Sequence, residues 1–142
     1  MTTTLLGGLV GGLFATIVMT AVMLTLGDDS PPPTAILWSK YVAGGDPGDH
    51  AMPGMVLHLG YGVGAGGALV VGAGVLGLGM GTITGGLLWG VVWGILLFVV
   101  GAMFWMNIVL GLDADRSMMV QFGMLHVVYG IVLGVWVGLG LF

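Results

Sequence analysis

Four apolar runs constrain this chain more than any other feature. They occupy residues 5–26, 53–76, 83–110 and 118–141, and none contains Asp, Glu, Lys or Arg. A hydrocarbon core of about 30 Å takes ~20 residues of helix to cross. A helix also satisfies its own backbone hydrogen bonds where no water is available. The four runs are therefore read as four membrane-spanning helices. Composition agrees: 58% of residues are hydrophobic, 6% are charged, and the mean hydropathy is +1.16. So few charges cannot cover a soluble sphere of this size. The first run follows Met-Thr-Thr-Thr, with no basic segment before it and no small-residue cleavage site after it. It is a span and not a signal peptide.

The same arithmetic excludes several functions. A net charge of −4 with only two basic residues leaves no footprint for nucleic acid. The absence of cysteine removes disulfides, zinc–thiolate sites, iron–sulfur clusters and thiol catalysis. No carboxylate lies within a span, so a carboxylate proton relay is excluded, and no nucleophile–base pair supports an enzyme.

With four spans both termini lie on one side, in a multi-pass protein of the cell membrane. Asp28, Asp29, Lys40, Asp46, Asp49, Asp113, Asp115 and Arg116 all fall in the two loops on the other side. Two basic residues against none is too small a count to orient the chain. In the long loop, Ser30 precedes three prolines, and Gly44-Gly45 follows Ala-Ile-Leu-Trp-Ser-Lys-Tyr-Val. A capping residue, early proline and terminal glycine punctuate a short helix over about 34–42. Trp38, Lys40 and Tyr41 suit a helix lying in the membrane interface. It serves either as an anchor or as a lid over a pocket. Asp46-Pro-Gly-Asp49 reads as a turn, with too few carboxylates for Ca²⁺.

The most specific pattern is an internal repeat. L-H-x-x-Y-G-x-x-x-G occurs at Leu57–Gly66 and again at Leu125–Gly134, 68 residues later. Gly7-Gly8-Leu9-x-x-Gly12 returns more weakly as Gly85-Gly86-Leu87-x-x-Gly90, 78 residues later. The chain thus reads as two helical hairpins, 5–76 and 83–141, in one integral membrane domain. An even number of spans per unit makes the copies parallel, related by a pseudo-twofold axis along the membrane normal. At 3.6 residues per turn His58, Tyr61, Gly62, Ala65 and Gly66 form one stripe, and His126, Tyr129, Gly130, Leu133 and Gly134 another. The glycines permit close helix packing, so both stripes face protein. The expected fold class is an all-α four-helix bundle of two parallel hairpins, with a short interfacial helix in the first loop. This architecture with its repeated H-x-x-Y-G helix resembles small four-span membrane proteins of halophilic archaea. It is more distantly similar to bacterial inner-membrane families. The resemblance implies topology and carries over no binding or catalytic residue.

His58 and His126 are the ionisable residues placed within the spans, and such residues are functional candidates. Two imidazoles at one depth could ligate a b-type haem, with Gly62 and Gly130 making room beside Tyr61 and Tyr129. The plainer alternative is that each histidine bonds a tyrosine or an opposing carbonyl and fixes packing. Methionine opens a third reading. Nine of eleven methionines lie toward the charged end, among them Met19, Met23 and Met55. Thioethers with imidazole suit Cu(I), and the M-x-x-x-M spacing resembles that of copper-uptake channels. Methionine also fills gaps and lines apolar pockets. Thr16, Thr20, Asn107 and Gln121 either satisfy one another or line the cavity mouth, and the tryptophans are interfacial or packing aromatics.

Together these features predict a non-enzymatic protein binding a cofactor or apolar ligand near paired histidines, with haem b the best-defined choice. The alternatives are permeation of Cu(I) or a small solute, and a structural accessory subunit of a larger complex. The expected partners are the lipid bilayer and other membrane chains, in a homo- or hetero-oligomer.

Overall fold

The structure, a computed structural model, describes residues 4–26 and 31–141. It is all-helical among those residues. α1 (Leu5–Leu26) is followed by a short α2 (Pro33–Trp38), which continues as a wider π-turn over Ser39–Ala43. A 3₁₀ turn at Pro47–His50 leads into α3 (Ala51–Leu76). α4 (Ile83–Val100) runs on into a π-helical stretch, Gly101–Leu110, and α5 (Arg116–Leu139) closes the chain. α1, α3, α4 with its extension, and α5 are each long and apolar enough to cross a membrane. The loop helix begins at Pro33 and loses α-winding at Ser39, so the expected helix over 34–42 changes pitch midway. Ser30, the expected cap, lies outside the described residues, as do Asp28 and Asp29.

Helix ends follow local chemistry. Asp115 caps α5 by accepting from the Met118 amide at 2.8 Å, and Thr82 caps α4 by accepting from that of Gly85 at 3.1 Å. Gly77, Gly111 and Gly140 end α3, α4 and α5 in the left-handed region, where a side chain would be strained.

Glycine decides how the hairpins close. A Cβ on Gly12 would strike the Gly62 carbonyl, and one on Gly90 would strike that of Gly130. Likewise, Gly8 faces the Gly66 carbonyl, and Gly86 faces that of Gly134. Both of these glycine contacts of the α1–α3 hairpin recur in the α4–α5 hairpin at the offsets of the sequence pattern. Backbones approach this closely only without side chains between them.

The contacts between hairpins are unequal. α1 packs closely along α5, where Gly11 lies against Leu133 and Trp136. α3 and α4 hardly approach at backbone level, and long side chains bridge them. Trp93 on α4 donates its indole N–H to the Ala65 carbonyl on α3 at 3.1 Å. Trp93 stands 78 residues after Ala15, and Ala65 stands 68 before Leu133. On this seam the bulk stands on α4, whereas on the α1–α5 seam Leu133 and Trp136 of α5 meet Gly11 of α1. The core is continuous through Ala15, Met19, Leu69, Leu97, Tyr129 and Leu133.

Candidate functional site

A cavity of about 430 Å³ lies at the loop end of the bundle. Its walls come from all four long helices: Met19 and Met23 on α1, His58 and Tyr61 on α3, Met106 on the α4 extension, and Leu125 and His126 on α5. Its volume is within the ~300–1,000 Å³ typical of small-molecule sites. The lining is almost wholly apolar and carries no charged side chain.

α2 roofs the cavity with Pro33, Thr34 and Leu37. It is held at both ends. Ala35 is fully buried against Gly54, whose missing side chain lets the two backbones meet. Beyond it, Lys40 donates to the Val109 and Leu110 carbonyls, at 3.0 Å each, and Tyr41 donates to Val109 at 2.7 Å. A cation and a phenol here satisfy the last carbonyls of the α4 extension and complement its dipole. The segment from Pro33 to Ala43 therefore straps the start of α3 to the end of α4, across the seam where those helices stand apart.

At the inner end of the cavity sit the repeated residues. His126 is buried, and its Nδ1 lies 2.8 Å from the Phe122 carbonyl one turn back. A carbonyl only accepts, so in the neutral ring Nδ1 carries the proton and Nε2 keeps a lone pair. Nε2 lies toward Gly101 on the opposite wall. The Phe122 ring packs on the imidazole with centroids 4.3 Å apart, fixing its plane. His58 lines the same wall and makes no hydrogen bond among the described residues. A smaller void of about 20 Å³ beneath brings His58, His126, Tyr61, Tyr129 and Thr16 around one point.

The two tyrosines part company. Tyr129 is 3% exposed and donates across the bundle to the Gly62 carbonyl at 2.6 Å. Tyr61 is 43% exposed and lines the cavity together with Trp105, which stands on the far side of the α3–α4 seam. Neither histidine bonds a tyrosine, so the expected His-Tyr pairing is replaced by a helix-internal bond and an interhelical one. Gly62 faces the Thr16 side chain on α1 and Gly130 faces the α4 backbone, rather than the large cavity. Met19 and Met23 share the cavity wall with His58, whereas Met55 is not part of it. The other span polar groups do not satisfy one another. Thr16 donates to the Gly12 carbonyl at 2.7 Å, Gln121 reaches the Leu26 carbonyl at 3.4 Å, and the Thr20 hydroxyl is buried without a partner among the described residues. Asn107 is exposed.

Lys40, Trp105 and the winding of 101–110 were not read from sequence as parts of the site. Gly101 was the available signal: a glycine inside an apolar run, at the point where the helix widens beside Phe122. The fold and cavity define a multi-pass helical membrane protein with an internal apolar site. No family model, curated protein or solved structure matches the chain.

Proposed function

We propose that this chain is a non-enzymatic protein of the cell membrane that binds an apolar small molecule in the cavity between its hairpins. One observation carries the reading. His126 is locked from behind by Phe122, so its Nε2 lone pair forms part of the wall of an otherwise apolar chamber. Such a chamber selects a ligand by shape and hydrophobicity, and a few convergent polar atoms, those of His126 and His58 first, fix its orientation. The paired hairpins, with both termini on one side, serve as a rigid frame around it.

A second reading has specific support. Metal-ligating histidines commonly donate the other ring nitrogen to a carbonyl, as His126 does, and His58 offers a second imidazole on the same cavity. A b-type haem held by this pair is therefore the best-defined cofactor alternative. Met19 and Met23 beside His58 keep Cu(I) as a further ligand set, without Met55.

Native mass spectrometry of the nanodisc-reconstituted protein, with an absorption spectrum of the same sample, tests the proposal. A lipid-soluble molecule should remain bound, and it should be lost on His126→Ala but retained on Val92→Ala at the outer face. A Soret band abolished by His58→Ala or His126→Ala would establish the haem reading instead. Blank spectra with Cu(I) binding weakened by Met19 or Met23 substitutions would establish the copper reading. A colourless, metal-free protein with no bound molecule would overturn all three.

A further inference from the structure

The cavity has two conceivable approaches, from the loop side and from the bilayer. On the loop side α2 lies over the cavity, seated on Gly54 at one end and tied by Lys40 and Tyr41 to the end of the α4 extension at the other. The side facing lipid is different. Three cavity residues of α3 form an outward rim: Val56 is 62% exposed, Gly60 has nothing within 4 Å of where a Cβ would stand, and Tyr61 is half exposed. They lie inside an uncharged span, so what they are exposed to is hydrocarbon. Opposite them, Trp105 lines the same cavity from the α4 extension and forms the other jamb. Further into the membrane, Trp93 on Ala65 closes the same seam.

We infer that the cavity fills sideways from the bilayer, through a portal between α3 and α4 gated by Tyr61 and Trp105, and that it takes a single-chain amphiphile whose head donates a hydrogen bond. This rests on the ligand-binding reading above. The ligand class follows from the wall. With no charged side chain present, an ionic head would be left unpaired at several kcal/mol. A chain of methylenes matches the lining of Met19, Met23, Met106 and Leu125. The Nε2 lone pair of His126 accepts and cannot donate, so it favours an alcohol, a phenol or a protonated carboxylic acid over an ether or ketone. Tyr61 and Trp105 open by side-chain rotation, a fast motion that needs no helix displacement.

The experiment uses the full chain in liposomes. A fatty alcohol carrying a diazirine in its chain is added, and samples are photolysed over time. A second series uses the matching methyl ether. Labelled residues are mapped by mass spectrometry. The alcohol should label Met106 and Leu125 about five-fold more than the ether at equilibrium, the ratio for one hydrogen bond of ~1 kcal/mol. Gly60→Trp and Val56→Trp, both at open rim positions, should slow cavity labelling several-fold and leave lipid-facing Ile95 and Val99 labelled as before. Lys40→Met with Tyr41→Phe should not slow it. Unchanged rates in both rim variants would overturn the side portal while leaving binding in place. Equal labelling by alcohol and ether would overturn the donor-head assignment. Labelling confined to the lipid face in every sample would sink the binding reading itself.

Discussion

Tyr129 donates its hydroxyl to the Gly62 carbonyl, whereas Tyr61, the matching tyrosine of the other repeat, makes no bond to Gly130 and lines the cavity with Trp105 at the lipid-facing seam. One motif thus holds the bundle together in its second copy and borders the cavity in its first. The difference follows from the seams. α5 packs along α1, and from it the Tyr129 phenol reaches the α3 backbone, while on the other seam Trp93 stands between α4 and α3.

Removing each hydroxyl should separate these roles. Tyr129→Phe should cost about 0.6–1.7 kcal/mol, the range for interhelical hydrogen bonds within membranes. Tyr61→Phe should cost less, because its hydroxyl stands at a half-exposed rim and makes no bond across the bundle. Reversible unfolding by steric trapping in bicelles measures both. Equal losses would mean that the two copies are structurally equivalent.

The glycine contacts predict a position-dependent alanine scan. Gly90→Ala and Gly12→Ala place a methyl against opposing carbonyls and should destabilise by about 1–3 kcal/mol through overpacking. Gly64→Ala and Gly72→Ala, where nothing lies within 4 Å, should be neutral or slightly stabilising, since alanine is the better helix former. Thermal unfolding in detergent gives the ranking.

Trp93 should behave as a spacer. Trp93→Phe loses the hydrogen bond to Ala65 but keeps a ring between the helices, at about 1 kcal/mol. Trp93→Ala removes the ring and should cost about 3 kcal/mol, unless α4 closes onto α3. Distance measurements between spin labels on α3 and α4 would detect that closure. An unchanged distance together with unchanged stability would show that Trp93 separates nothing.

Lys40 and Tyr41 should determine how firmly the strap is held. In Lys40→Met with Tyr41→Phe the carbonyls of Val109 and Leu110 lose their donors. Hydrogen exchange at amides 33–43 should accelerate several-fold, with α5 unaffected. Unaltered protection would mean that the contact of Ala35 with Gly54 suffices to hold the segment.

Much of this was legible beforehand because a bilayer imposes a simple rule. Runs without charge must be helices long enough to span, and the expected 5–26 and 83–110 coincide with the observed helical limits, while 53–76 differs by two residues at its start and 118–141 by two at each end. The repeated glycines likewise announced backbone contacts, since a missing Cβ every fourth residue leaves a groove of one predictable width. The chemistry of His126 was less legible. Its i+3 tyrosine suggested a partner, but a helix also presents the carbonyl four residues back, and Phe122 supplies it. Counting with a period of 3.6 also hid the π-winding of 101–110, which turns Gly101, Trp105 and Met106 onto the cavity wall.

The number of spans, their ends to within two residues, and the close helix approach at the glycines were determined by the sequence alone. These depend on local hydrophobicity and on side chains that are absent. How the two hairpins meet was decided only in three dimensions. The sequence pattern is nearly the same in both copies, and equal patterns predict equal seams. On the α1–α5 seam Leu133 and Trp136 of α5 meet Gly11, on the α3–α4 seam Trp93 of α4 meets Ala65, and which bulk meets which gap appears in neither helix's sequence separately. α3 and α4 make few backbone contacts, the cavity lies at the loop end of the bundle, and Lys40 and Tyr41 reach the end of the α4 extension.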